Sequence, residues 1–364
     1  MKIYKNVENF NNKRILITGG SGFIGSHLVR KLLKETNCLI FNIDNLSYAS
    51  DNESIIKKKG AKSRYFLNKI NLRDSSAVSK VVQEAKPDLI FHLAAETHVD
   101  RSLDNPLVFL ETNILGTFNI LQGALNYFEK LPPHKKDNFR FHHISTDEVF
   151  GSLGVFGKFD EKTKYAPRSP YSASKASSDH FVNAWFHSYE LPILITNCSN
   201  NYGPYQFPEK LIPLSIIKAL RGEPIQIYGK GENIRDWLYV EDHIDAILCV
   251  ANRGKVGRTY CIGGDCEKTN NELINMVCEL LNDICPINNS YSDLIKYVQD
   301  RPGHDFRYSI DAGLIKKELG WQPKTKIKDG LKKTIKWYVK NTDWCTRVLN
   351  KSGYKGERIG QRKI

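Results

Sequence analysis

The sequence predicts an α/β protein: a doubly wound parallel sheet with a smaller, mixed C-terminal lobe. Three observations carry that prediction. A short β-branched run, Lys13-Arg-Ile-Leu-Ile-Thr18, passes directly into glycines spaced three apart and then into helical periodicity. From there to Cys198, strand-like apolar runs alternate with segments of helical period. Beyond Cys198 the alternation stops at a turn-rich stretch, Ser199-Asn-Asn-Tyr-Gly-Pro-Tyr-Gln-Phe-Pro208.

Each element follows from its own residues. The first strand, 13–18, is apolar enough to be buried on both faces. Gly19, Gly22 and Gly25 follow it. Glycines there let backbone amides approach a pyrophosphate, and the helix that starts at Phe23 offers partial positive charge. The second strand, 38–43, ends in Asp44. An acid at that place, ~20 residues past the glycines, accepts from ribose hydroxyls and repels a 2′-phosphate. The implied cofactor is therefore NAD rather than NADP.

A third strand spans 64–70, with a helix over 75–85. A fourth, 88–93, ends in Ala94-Ala95-Glu96-Thr97, where small residues let the backbone approach a ligand. A long helix is expected over 106–128. The fifth strand, 139–145, leads into Thr146-Asp147-Glu148. Residues 151–170 read as a loop, and Pro170 suits the first turn of the helix that carries Tyr171 and Lys175. The sixth strand is 191–198. In such a sheet ligands sit beyond the C-terminal strand ends, where Asp44, Thr97 and Thr146 all fall.

The expected division is a dinucleotide domain over 1–198, rejoined by 235–265, with Arg235-Asp-Trp-Leu-Tyr-Val240 returning to the first lobe. A second lobe takes 199–234 and 266–345, including helices near 270–283, 312–319 and 328–340. A basic tail takes 346–364.

Composition bounds the function. The 364 residues exceed what one compact core usually holds, so two lobes are expected. No apolar run reaches the ~18 residues needed to span a bilayer. The first residues lack a signal-peptide pattern, so a cytoplasmic protein is expected. The eight cysteines are scattered and read as free thiols, with no metal-ligand spacing. The net charge of +13 admits either nucleic acid or an anionic small substrate. Much of it lies on the polar face of the helix at 328–340, a solvated face, and nucleic acid is not the expected partner.

The chemistry-bearing residues are Thr146, Asp147, Glu148, Tyr171 and Lys175. Adjacent carboxylates crowd like charge, which keeps one protonated and divides acid from base. A strict strand would send positions 147 and 148 to opposite faces, so they must lie where the strand ends and the backbone turns. Tyr171 and Lys175 are one helical turn apart, so the ammonium is expected to make the phenol more acidic.

These residues resemble a known family. Thr18-Gly-Gly-Ser-Gly-Phe-Ile-Gly25, Tyr171-Ser-Ala-Ser-Lys175 and Arg235-Asp-Trp-Leu-Tyr-Val240 resemble the extended short-chain dehydrogenase/reductases, which carry a Rossmann domain. Ser145-Thr-Asp-Glu-Val149, the stretch from His92 to Ser102, Asn197 to Tyr205 and Asp300-Arg-Pro-Gly-His304 narrow the likeness to the dTDP-glucose 4,6-dehydratases. The resemblance implies an NAD-dependent nucleotide-sugar lyase, a homodimer serving deoxysugar synthesis such as that of rhamnose, with dTDP-glucose as substrate. It makes Tyr171 the base at the C4 hydroxyl, Glu148 the base at C5 and Asp147 the acid at C6, with Thr146 on the C4 oxygen.

The same resemblance assigns further contacts. To NAD it assigns Gly19, Gly22, Phe23, Ile24 and Gly25; Asp44, Asn45, Leu46 and Ser47; Asn71 and Leu72; Leu93, Ala94, Ala95 and Thr97; and Thr112, Tyr171, Lys175 and Asn201. To the nucleotide sugar it assigns Thr97, Thr146 and Asn200; Lys210, Leu211, Ile212, Pro213, Leu214 and Ser215; Gln226, Ile227 and Tyr228; Arg235 and Asn270; and Asp300, Arg301, Pro302, Gly303 and His304. Arginine forks at 235 and 301 suit a diphosphate, and Tyr228 suits a pyrimidine face. Asn71 departs from the family, which has an aspartate there toward the adenine amino group; weaker adenine binding and unchanged chemistry are expected. The alternative enzymes are a UDP-sugar epimerase or decarboxylase using the same tyrosine. A catalytically silent NAD-sensing or RNA-binding protein is the reading from outside enzymology.

Overall fold

A computed structural model of the chain describes residues 7–57, 61–300 and 303–356. Its strands in chain order are β1 (Arg14–Thr18), β2 (Leu39–Ile43), β3 (Tyr65–Asn68), β4 (Leu89–His92), β5 (Arg140–Thr146), β6 (Ile193–Cys198), β7 (Asn200–Tyr202), β8 (Ile225–Tyr228), β9 (Ile234–Tyr239), β10 (Arg258–Ile262), β11 (Glu267–Thr269) and β12 (Ile295–Val298). Seven of them form one parallel sheet in the order β10-β6-β5-β4-β1-β2-β3. The chain steps outward from β1 to β3, then restarts at β4 on the other side of β1. That reversal opens a crevice at the carboxyl ends of β1 and β4.

Both faces of the sheet are covered, which is why its strands are apolar throughout. Ile15 and Ile17 pack with Leu28 and Leu32 of the helix Phe23–Glu35 and with Ile244 and Ile247 of the helix Val240–Arg253. Leu16, one residue out of phase, packs with Val78 of Ser75–Ala85, Ile120 of Gly116–Phe128 and Val182 of Pro170–Tyr189. The second lobe has its own core, in which Ile212, Ile227, Leu273, Leu331 and Tyr338 meet.

Four expectations are corrected. The strand at 235–240 does not return to the main sheet: β9 pairs with β7 and β11 in a separate three-stranded sheet. Only the helix Val240–Arg253 and β10 rejoin the first domain. The helix Gly313–Leu319, expected in the second lobe, packs on that first domain, where Ile315 and Leu319 meet Leu194, Cys249 and Tyr260. The long helix over 106–128 is α-helical at Pro106–Phe109 and Gly116–Phe128 but winds as a π-helix over Leu110–Leu115. Within that wider turn Asn113 accepts from the Glu96 amide at 2.8 Å and donates to the Glu96 carbonyl at 3.0 Å, holding the loop after β4.

The fourth correction concerns the tail. Thr342–Ser352 is a helix with Trp344, Cys345 and Val348 buried. Its polar face reaches the loop after β2. Trp344 donates to Asp51 at 2.7 Å, Arg347 pairs with Asp51 and Glu53, and Lys351 donates to the Ser50 carbonyl at 3.1 Å. Residues 58–60 and 357–364, which carry other expected basic positions, lie outside the described residues. Among the described residues no helix is long and apolar enough to cross a membrane.

Candidate active site

The crevice holds a cavity of about 300 Å3. Its floor is the glycine turn after β1. Gly19 has φ +72, and a Cβ on it would stand 2.7 Å from the Ala94 backbone; a Cβ on Gly25 would stand 2.2 Å from the Gly19 carbonyl. Only glycine allows β1, the helix start and the loop after β4 to approach this closely. Asp44 ties the turn to the end of β2, accepting from the Ser21 amide at 2.9 Å and the Leu46 amide at 2.8 Å. Each carboxylate oxygen keeps a further lone pair for a ribose hydroxyl.

Gly22, Phe23, Ile24, Asn45, Ser47, Asn71 and Leu72 line the same cavity, as do Leu93, Ala94, Ala95, Thr97, Thr112 and Asn201. Leu46 does not; its backbone takes the left-handed conformation, φ 55, with its amide on Asp44. The Asn71 oxygen already accepts from the Arg73 amide at 3.0 Å. These residues fit a dinucleotide: a cradle that any Cβ would fill, a helix start above it and an acid at the next strand end.

Where β5 ends, the backbone winds into the single turn Asp147–Phe150. The turn answers the difficulty of adjacent acids: 147 and 148 follow one another around it, and both line the cavity with Thr146, Tyr171 and Lys175. Thr146 Oγ1 accepts from the Glu148 amide at 3.3 Å and donates to Asp147 Oδ1 at 3.3 Å. Asp147 is buried. Burial first, then the charges of Glu148 and Asp236, hold its carboxyl well above the ordinary 3.8.

Tyr171 and Lys175 sit in the first turns of Pro170–Tyr189, a helix capped by Ser169, whose Oγ accepts from the Ser172 amide at 3.1 Å. Both side chains are buried. Lys175 Nζ donates to the Ile144 carbonyl at 2.9 Å. The expected acidified phenol is not what this geometry produces. Burial, then Glu148 and Cys198, push the Tyr171 hydroxyl well above 10.0, and a hydrogen bond with Thr146 only partly opposes them. Its loss of a proton must be driven by charge brought into the cavity.

The expected substrate residues divide. Asn200 and Lys210 line the cavity, and Lys210 Nζ donates to the Thr97 carbonyl at 2.8 Å across its mouth. Leu211, Ile212, Pro213, Leu214 and Ser215 start the helix Leu211–Leu220 and are not part of the lining. Ile212 points into the core of the second lobe from that helix and Ile227 does so from β8, whose strand alternation leaves Gln226 and Tyr228 facing outward. Asn270 opens the helix Asn270–Ile284. Tyr228 lies edge-on to His304 at 6.5 Å, and His304 bonds Asp300 at 2.7 Å, next to Gly303.

These residues form a second cluster, outside the cavity lining. Arg301 and Pro302 lie outside the described residues. Arg235 is buried against the Tyr308 ring at 4.2 Å and donates to the carbonyls of Ile234 and Asp305 at 2.7 and 3.0 Å. Its charge still reaches Asp147 and works against the rise in that carboxyl's pKa.

Sequence reasoning missed Glu209, a lining residue. It accepts from Tyr48 at 2.8 Å and from Arg101 at 2.9 Å, and Arg101 lies over the Tyr48 ring at 4.0 Å. The three bridge the loops after β2, β4 and β7. Arg101 stands in the stretch from His92 to Ser102 that carried the resemblance, but nothing in a linear pattern shows its partner.

A Rossmann sheet with this glycine turn and a Tyr-x-x-x-Lys helix defines an extended short-chain dehydrogenase/reductase. The chain belongs to the GDP-mannose 4,6 dehydratase family, whose model matches residues 16–334. It is 52% identical over 349 residues to a dTDP-glucose 4,6-dehydratase of Salmonella typhimurium, covering 93% of this chain and 96% of that one. A dTDP-glucose 4,6-dehydratase of Neisseria meningitidis is 49% identical, covering 96% and 100%. Among solved structures, the Streptomyces venezuelae dTDP-glucose 4,6-dehydratase DesIV, with NAD and TYD bound, superposes with TM-score 0.83 at 39% identity, covering 92% and 99%.

Proposed function

We propose that this chain is an NAD-dependent dTDP-glucose 4,6-dehydratase, converting dTDP-glucose to dTDP-4-keto-6-deoxyglucose in deoxysugar nucleotide synthesis of the rhamnose type. The observation that carries this reading is the buried Asp147, its carboxyl held above the ordinary range, beside Glu148 in the cavity that also holds Tyr171 and the glycine turn. Epimerization or decarboxylation at the same tyrosine has no use for an acid and a base side by side, and the similar dehydratases favour neither.

NAD would be held by the glycine turn, Asp44 and Lys175, and would supply there a reversible acceptor for a hydride of the sugar ring. The side chains move the protons. Tyr171, once ionised by charge brought into the cavity, takes the C4 hydroxyl proton while Thr146 bonds the same oxygen. The resulting ketone acidifies C5, where Glu148 is the base. Asp147, kept protonated by burial, gives its proton to the departing C6 hydroxyl, which leaves as water. The proton on Glu148 returns to C5 as hydride reaches C6. The sugar thus loses one water and the cofactor ends as it began.

A homodimer fits the outer face of the helices Gly116–Phe128 and Pro170–Tyr189. There Phe118, Phe181 and Tyr189 are partly exposed around Trp185, with Leu107 and Leu110 exposed nearby. A cytoplasmic location fits a nucleotide-sugar substrate.

The test is Glu148→Gln. Dehydration should fall by ~10²–10⁴, the usual worth of a general base, while incubation with substrate still forms NADH from the first step. Dehydration at the wild-type rate would refute the role. Weighing the products of wild-type protein from dTDP-glucose and UDP-glucose separates loss of water from no change or loss of carbon dioxide.

A further inference from the structure

Asp179 has no part in the proton transfers above, yet it lies wholly buried two turns along the helix from Tyr171. Its carboxylate accepts from Ser145 Oγ at 2.8 Å, Tyr165 hydroxyl at 2.8 Å, Asn197 Nδ2 at 3.2 Å and His143 Nε2 at 3.1 Å. A serine, a phenol and an amide are neutral donors. The fourth, His143, has no partner for Nδ1 among the described residues, so its ring proton belongs on Nε2, facing the carboxylate. Burial, then Lys175, push that ring down to about 4, so it too is neutral. The carboxylate is thus fully bonded but not neutralised by any of its donors.

The balancing cation is one helical turn away. Lys175 Nζ lies 3.4 Å from His143 Nε2, on the edge of the ring that Asp179 holds, and is itself buried. The other titratable groups around it are His92 on β4, Cys198 on β6, and Tyr171 on its own helix. His92 is committed to neutral bonds with Thr18 at 2.7 Å and Thr117 at 2.9 Å. Cys198 is a buried thiol, and burial pushes it up. Tyr171 is held as a neutral phenol. Asp179 is the carboxylate among them.

We infer that Asp179 is a positioning residue: the buried counter-ion of Lys175, holding the ammonium charged and aimed through the neutral ring of His143. The inference rests on Lys175 acting as the active-site cation. An ammonium buried without a counter-ion gives up its proton, and its field on Tyr171 and its grip on a ribose go with it.

Two measurements test it. Asp179→Asn keeps the size of the side chain and removes its charge. In a Glu148→Gln background, where reduced cofactor accumulates, the rate of NADH formation is followed against pH. The alkaline limb should move to lower pH by about one unit or more, because Lys175 loses its proton sooner. A profile superimposable on that of Glu148→Gln alone would overturn the inference, even if Asp179→Asn melts at a lower temperature.

The second measurement needs no catalysis. Lys175→Met leaves a buried carboxylate unbalanced and should lower the melting temperature near neutral pH; adding Asp179→Asn should restore much of the loss. Additive losses in the double variant would refute the pairing. Because this arm reads stability, its failure is distinct from failure of the proposed reaction.

Discussion

Asp147 and Glu148 are neighbours in sequence with opposite duties, and burial separates them. Asp147 has its carboxyl held above 3.8, so the folded state binds its proton more tightly than the unfolded state does. The sign follows: this group favours folding below its unfolded pKa, and that contribution is lost as pH rises toward the folded value. Asp147→Asn should therefore melt at a higher temperature than wild type, with a gap that widens from pH 4 to pH 8 on thermal scans. Dehydration by the same variant should fall by ~10²–10⁴. A constant gap would mean that the carboxyl titrates normally. The identities of both acids were readable in the sequence. Which of them is buried was not, because burial is set by segments far along the chain; Asp236 and Arg235, equally distant in sequence, act on Asp147 through their charges.

At the scale of elements, the glycine turn is the most locally determined part of the site. Its strand, turn and helix are contiguous, so pattern alone located them. The structure adds how little room there is. Gly25→Ala would press a methyl group against the Gly19 carbonyl, 2.2 Å from the ideal Cβ. Overpacking of this kind costs about 1–3 kcal/mol, and here it also widens the cradle. The expected outcome is a lower melting temperature together with weakened NAD binding, measured by cofactor titration. Unchanged cofactor affinity would show that the turn is less tight than drawn. The π-helical turn at Leu110–Leu115 is the counterexample: its residues look like an ordinary helix, and only the demand of Asn113 for the Glu96 backbone marks it.

Across the whole molecule, the cavity belongs to both lobes, since Glu209 and Lys210 close over it from the second. The aromatic face outside Trp185, itself part of the first domain's core, is left uncovered. Phe118 and Phe181 stand 37% and 36% exposed beside it, next to the helix that carries Tyr171. An exposed apolar patch on a closed, two-fold assembly is satisfied by its own copy. Under the proposed homodimer, Phe118→Glu with Phe181→Glu should halve the mass measured by light scattering while leaving the circular dichroism of the fold unchanged. A wild-type protein already monomeric at micromolar concentration would remove the dimer.

What the sequence determined by itself is whatever short-range chemistry encodes: the alternating strands and helices, the glycine spacing, an acid at the end of β2, and the Thr-Asp-Glu and Tyr-x-x-x-Lys sets. Each is read within a few residues, because backbone geometry and helical period act over that range. Tertiary structure decided what depends on contacts between distant segments. It put β9 into a small sheet, laid Gly313–Leu319 on the first domain and placed the start of the basic tail in the helix Thr342–Ser352, which reaches Asp51 and Glu53. It also brought Glu209 to Tyr48 and Arg101, and Asp179 to His143. Such pairings are set by which buried surfaces and charges find one another in three dimensions, and spacing along the chain carries no record of them.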